Sequence, residues 1–182
     1  MAAYTEAMDL PDATWEARTA SLWNDFNALD EVEFLAQIES LATELPPDSA
    51  IGQFERGAAH DSTGHPEAAV ALYRAALGSG LSGLRRRRAT IQLASSLRNL
   101  GGAQQAADLL GAELGEESDE LDGAVHASLA LALADLGRER EALALSLAVL
   151  APCLPRYRRS LAHYAEEPRA GRSTDRPKHE AR

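Results

Sequence analysis

Apolar residues return at steps of three and four along most of this chain, the period of helices that bury one face. Trp15, Arg18, Leu22, Trp23 and Phe26 place large groups at that spacing, and Pro11 suits a first helical turn, so one helix is predicted from about Pro11 to Ala28. Asp30 followed by Glu33 forms a capping-box signature for a second helix through Phe34, Leu35, Ile38, Leu41 and Leu45. Pro46 and Pro47 stop it. Beyond them the pattern breaks into short helix pairs, each pair divided by a glycine.

Those glycines, Gly64, Gly101 and Gly137, stand 37 and then 36 residues apart, and their surroundings fall into register. Seven residues before each is a small residue, Gly57, Ala94 or Ala130. Four before is His60, Leu97 or Leu133, and five after is Ala69, Ala106 or Ala142. Nine after come Tyr73, Leu110 and Ser146, the last departing from the bulky pattern. Small residues let two helices approach and larger ones fill the space beside them. Each glycine is predicted to end the first helix of its pair in a left-handed turn. The front helices carry no such glycine and are expected to cover the open end of the array, since a terminal repeat hides a face its missing neighbour would have covered.

The phrases GHPEAAVALYRAAL from Gly64 and GREREALALSLAVL from Gly137 resemble the tetratricopeptide repeat. GGAQQAADLLGAEL from Gly101 keeps Ala106 but puts Glu113 where that family prefers a small residue. The resemblance covers about Asp48 to Pro152. It implies an all-α fold in which antiparallel helix pairs stack into a right-handed superhelix. The wording FERGAAHDSTGHPEAAVALYRAAL, followed by RRRRATIQLASSLRNLG, is similar to small, mostly uncharacterised bacterial proteins of this family. The expected organisation is a flexible start over residues 1–10, a capping helix pair over 11–47, and three repeats at about 48–80, 85–115 and 121–152. A capping helix over 153–167, opened by Pro155 with Tyr157, Leu161 and Tyr164 on one side, and a disordered tail over 168–182 complete it.

Composition agrees with packed helices: 45% of residues are hydrophobic and only 5% aromatic. No signal-like segment opens the chain, Cys153 has no internal partner for a disulfide, and no apolar run nears the about 20 residues that span a bilayer. A cytoplasmic protein without membrane segments is the expectation. The net charge of −10 argues against nucleic acid, which needs a basic face. That charge is uneven. Arg18 is the only cation before residue 51, whereas Arg85, Arg86, Arg87 and Arg88 stand together and Arg156, Arg158 and Arg159 cluster later. The first run opens a helix, where the dipole disfavours cations, and is read first as a solvated linker, with compensation by acidic neighbours such as Glu55 or the front helices, or by an acidic partner, as the alternatives.

Candidate chemistry is sparse. His60, His65, His126, His163 and His179 lack the close spacing of metal ligands, so neither a metal nor another cofactor is expected. His60 is read as a partly buried histidine with one polar partner, and Cys153 as a buried structural thiol. The run GSGLSG over 78–83 lacks the Lys-Ser/Thr of a phosphate loop and is read as a flexible link. No catalytic constellation is present, and a non-catalytic role is expected.

The resemblance implies instead a concave groove, lined by the first helix of each pair, that receives an extended peptide or a partner helix. On this chain the lining becomes Phe54, Glu55, Ala58, Asp61 and Ser62, then Arg88, Ile91, Gln92, Ser95, Arg98 and Asn99, then Ala127, Ser128, Leu131, Ala134 and Asp135. The family's carboxylate clamp requires Lys and Asn at positions held here by Phe54, Ala58 and Ile91, so that clamp is not implied. Two readings of the middle stripe stay open. Arg88, Gln92, Ser95, Arg98 and Asn99 offer hydrogen bonds to a peptide, or Arg88 and Arg98 serve an internal network with Glu55, Asp61 or Asp135. The expected function is an adaptor that holds a protein or peptide. The alternative is a homo-oligomer assembled through an exposed patch of Trp15, Trp23 and Phe34.

Overall fold

A computed structural model describes residues 11–166. The front pair is α1 (Ala13–Asn24) and α2 (Glu31–Ala42), joined by a 3-10 turn at Phe26–Ala28. There follow α3 (Ala50–Ser62) and α4 (Pro66–Gly78), α5 (Gly83–Asn99) and α6 (Ala103–Glu113), α7 (Asp122–Asp135) and α8 (Glu139–Cys153), and a last helix α9 (Arg158–Glu166). Among the described residues every regular element is helical. The expected segments 1–10 and 168–182 lie outside the described residues.

Local signals start and stop these helices. The Asp12 and Asp30 carboxylates accept the Trp15 and Glu33 amides at 2.8 and 2.9 Å, and Ser49 Oγ accepts that of Gly52. α1 ends sooner than the periodicity predicts, and its last stretch tightens into the 3-10 turn. Gly64, Gly101 and Gly137 take φ of 85°, 85° and 72°, as the register predicts. After each, the next amide returns to the carbonyl five residues back, His65 to His60, Gly102 to Leu97 and Arg138 to Leu133, at 2.8–2.9 Å. This is the Schellman closure, which serves otherwise unpaired end carbonyls. Gly80 builds a fourth one, with φ 85° and Leu81 N–H donating to Ala76 O, so GSGLSG is a helix stop that buries Leu81 rather than a featureless link.

Packing follows chain order, each helix lying against the next, with one further relation. The first helices of successive pairs, α3, α5 and α7, touch one another directly, while the second helices α4, α6 and α8 make no comparable contact among themselves. The first helices therefore form the tighter inner layer and the second helices the spread outer one, which curves the stack. Two apolar clusters run through it. Trp15, Phe34, Ile38, Phe54, Tyr73 and Leu93 join the front pair to the first repeat and α5. Leu110, Val125, Leu129, Leu133 and Leu145 join α5 and α6 to α7 and α8.

Several expectations are corrected here. Trp15 and Phe34 are buried and Trp23 is half-buried, so the front helices show no exposed aromatic patch. Trp15 Nε1 donates to Leu41 O, and Trp23 and Phe26 pack edge-on against Phe34, because large rings gain most by closing the end of the core. Cys153 is exposed, next to Pro152 at the end of α8. α9 begins at Arg158 rather than Pro155, after Tyr157 turns with φ 68°.

Candidate protein-interaction groove

The inner layer divides the sequence-derived lining into residues that the fold uses and residues it leaves available. Phe54 is used: it is 0% exposed, packed 6.2 Å from the Tyr73 ring. Glu55 is buried too, accepting from Trp23 Nε1 at 2.8 Å with Arg85 Nε 3.4 Å away. Burial raises its pKa, against the opposing effect of Trp23 and the arginines. Asp61 accepts from Ser96 Oγ at 2.7 Å and Tyr73 OH at 3.5 Å, tying three helices together. Desolvation, reinforced by the Asp61 charge, pushes the Tyr73 hydroxyl pKa up and holds it as a donor. Arg98 donates to Asp135 Oδ2 at 2.9 Å, spanning α5 and α7. Arg98 and Asp135 thus pair with each other, as one of the two readings of this stripe expects.

The arginine run is likewise no solvated linker. Arg85 makes a bidentate pair with Glu16 of α1 at 2.5 and 2.9 Å, and Arg86 one with Glu113 of α6 at 2.7 and 2.9 Å. Arg87, 4% exposed, holds Asp119 at 2.5 Å and Asp122 at 2.7 Å. These carboxylates come from three elements remote in sequence and offset the unfavourable helix dipole. They also explain Glu113, the residue out of family pattern: it is buried as the counter-ion of Arg86 and lies 3.6 Å from Arg87.

What remains is a stripe on one face of α5. Arg88 is exposed, with its guanidinium 5.2 Å over the Phe54 ring and no ion pair among the described residues. One turn on, Gln92 is half-buried, and its Oε1 is shielded from solvent without a hydrogen-bond partner among the described residues. Ser95 is half-buried and Asn99 exposed on the same face. Opposite, α7 offers half-buried Ser128 and, one turn on, Leu131, 54% exposed. Sequence reasoning names these positions but cannot separate Arg88 from Arg98. The partners that occupy Arg98 and leave Arg88 free lie on another helix.

The histidines assemble differently than their spacing suggests. His60 and His65 bring their rings within 5.9 Å across the Gly64 turn, where the Schellman motif places a side-chain contact, and His65 Nε2 meets Glu31 Oε1 at 2.5 Å. His60 Nδ1 is buried and, among the described residues, lacks the polar partner expected for it. Among the described residues no three His, Cys, Asp or Glu side chains gather as metal ligands, and no helix is long and apolar enough to cross a membrane.

Helix pairs stacked with their first helices inward define a helical-repeat scaffold, a class whose chemistry lies in its surfaces. The chain belongs to the tetratrico peptide repeat family, whose model matches residues 50–168 and so takes in α3 through α9. Members of this family generally mediate protein–protein interaction. Comparison with curated proteins and with solved structures gives no match.

Proposed function

We propose that this protein is a non-catalytic adaptor of the bacterial cytoplasm whose inner face takes an extended, acidic peptide segment of a partner protein. One observation carries the reading: of the four arginines that open α5, Arg88 alone makes no ion pair among the described residues, and it stands exposed and steadied over Phe54. An anchored guanidinium loses less freedom on binding and suits a carboxylate. Gln92, Ser95, Asn99 and Ser128 then supply polar contacts to the peptide, and Leu131 an apolar one. Phe54, Glu55 and Asp61 support this face from below, and the Arg98–Asp135 pair ties α5 to α7 at its edge.

An array of ten-residue peptides, acidic, neutral and basic, tests it with the wild-type chain, Arg88→Ala and the control Arg74→Ala, whose arginine is exposed on α4. Wild type and Arg74→Ala are expected to retain acidic peptides and Arg88→Ala to lose them about tenfold, the equivalent of one charge-assisted hydrogen bond. Equal retention by all three chains overturns the proposal.

A further inference from the structure

The ends of the array carry opposite charge, and neither end is spent on the groove. Over residues 11–50 nine carboxylates accompany a single cation, Arg18; Glu16, Glu31, Glu39 and Glu44 pair with Arg85, His65, Arg56 and Arg18, and the other five carboxylates keep this end negative. On α2, Val32 is 77% exposed between Glu31 and Glu33. Among the described residues the Glu33 side chain makes no ion pair and accepts from Gln37 at 3.2 Å. The front end is thus an apolar spot within an acidic surface.

The other end is its complement. Tyr157 and Tyr164 are 75% and 52% exposed, and Leu150 of α8 stands open beside the segment that carries them. Arg156 and Arg159 lie in the same segment, exposed and without a carboxylate partner among the described residues, while Arg158 Nε is engaged by Leu154 O. Tyr157 holds its left-handed φ of 68° with its side chain in solvent, a conformation that L residues rarely adopt. A last repeat ordinarily presents a polar outer face. Tyrosine and arginine are the residues enriched where proteins meet.

We infer that the α9 end of one copy docks on the α2 face of a second copy, tyrosines against Val32 and arginines against Glu33 and the carboxylates around it. The charge complementarity of the two ends selects a second copy of this chain as the occupant. The two surfaces differ, so the contact is heterologous: each added copy leaves one acidic and one basic end free, and association continues beyond a dimer. The attraction between exposed charges weakens with salt. This inference does not depend on Arg88 or on the inner face.

Sedimentation velocity of the full chain at low and high salt tests it. A head variant, Val32→Ser with Glu33→Gln, and a tail variant, Arg156→Ala, Tyr157→Ala and Arg159→Ala, alter exposed side chains only, and circular dichroism checks their helicity. Wild type is expected to grow past dimer with concentration at low salt and to fall to monomer at high salt. Each variant alone stays monomeric. Mixed one to one, the variants form a dimer and nothing larger, because one intact head and one intact tail remain, and Arg88→Ala assembles like wild type. A wild-type chain that is monomeric at every salt overturns the inference, as does a mass that stops at dimer or a variant mixture that does not associate. A monomeric chain that binds vesicles of anionic lipid through Arg156 and Arg159 overturns it in favour of a membrane surface.

Discussion

A Cβ placed on Gly57 of α3 would stand 2.9 Å from Cδ1 and 3.0 Å from Cε1 of Tyr73 on α4, with Leu72 Cβ at 3.3 Å. The two residues, seven before and nine after the Gly64 turn, are the small and large halves of one helix contact. Tyr73 is fully buried and cannot swing aside. Gly57→Ala is therefore expected to cost about 1–3 kcal/mol, the usual penalty of overpacking, in denaturant titrations. In a Tyr73→Leu background the same substitution costs much less, because the ring that it meets is gone. An equal cost in both backgrounds places the effect elsewhere.

Gly101 offers the opposite case. Nothing lies within 4 Å of a Cβ there, yet φ is 85°. The penalty of Gly101→Ala is conformational alone, about 1–2 kcal/mol. Gly101→Asn should lose less, since asparagine enters the left-handed region more readily. Thermal midpoints of the two variants, compared with Gly57→Ala, separate backbone strain from steric overlap.

Arg87 ties α5 to the loop before α7. The Asp119 pKa is lowered first by its hydrogen bond from Arg87, and that of Asp122 first by Ser118 and then by Arg87. A lowered carboxylate pKa contributes stability above the unfolded value and loses it as pH falls through the folded one. Arg87→Met is expected to cost about 1 kcal/mol at neutral pH, allowing for solvent screening of the outer carboxylates. The gap to wild type should close as pH drops below the ordinary aspartate value of about 3.9. A gap that is constant with pH points to packing, not to the ion pairs.

Glu55 has the reverse sign. Its pKa is raised by burial, so its contribution is present at low pH and declines as pH climbs from the ordinary glutamate value of about 4.3 through the folded one. Glu55→Gln keeps an acceptor for Trp23 Nε1 and leaves Arg85 its bidentate pair with Glu16. The variant should therefore gain thermal stability relative to wild type on going from pH 4 to pH 7. Melting curves at the two values check the sign, and a relative loss at pH 7 means that the Arg85 attraction outweighs desolvation.

Much of this fold is legible in the chain because its rules are local. Asp30, Gly64, Gly101 and Gly137 act on backbone groups within five residues, and a left-handed turn asks for glycine whatever surrounds it. The alternation of small and large residues around those glycines then implies which helices pair. The candidate site is legible as positions only, since Arg88 and Arg98 sit ten residues apart on the same helix with the same chemistry.

Everything that sorts charge by partner waited for the tertiary structure. Glu16, Glu113 and Asp122 reach the arginine run from 69, 27 and 35 residues away, a pairing that no local spacing encodes. Trp15 and Phe34 look like an exposed patch until the front pair closes over α3, and Cys153 looks buried until α8 ends beside it in solvent. Periodicity establishes which face of a helix is apolar. Only the packed neighbour, by excluding water from one charge and leaving it around another, decides that Glu55 belongs to the core, Arg98 to the scaffold and Arg88 to the surface.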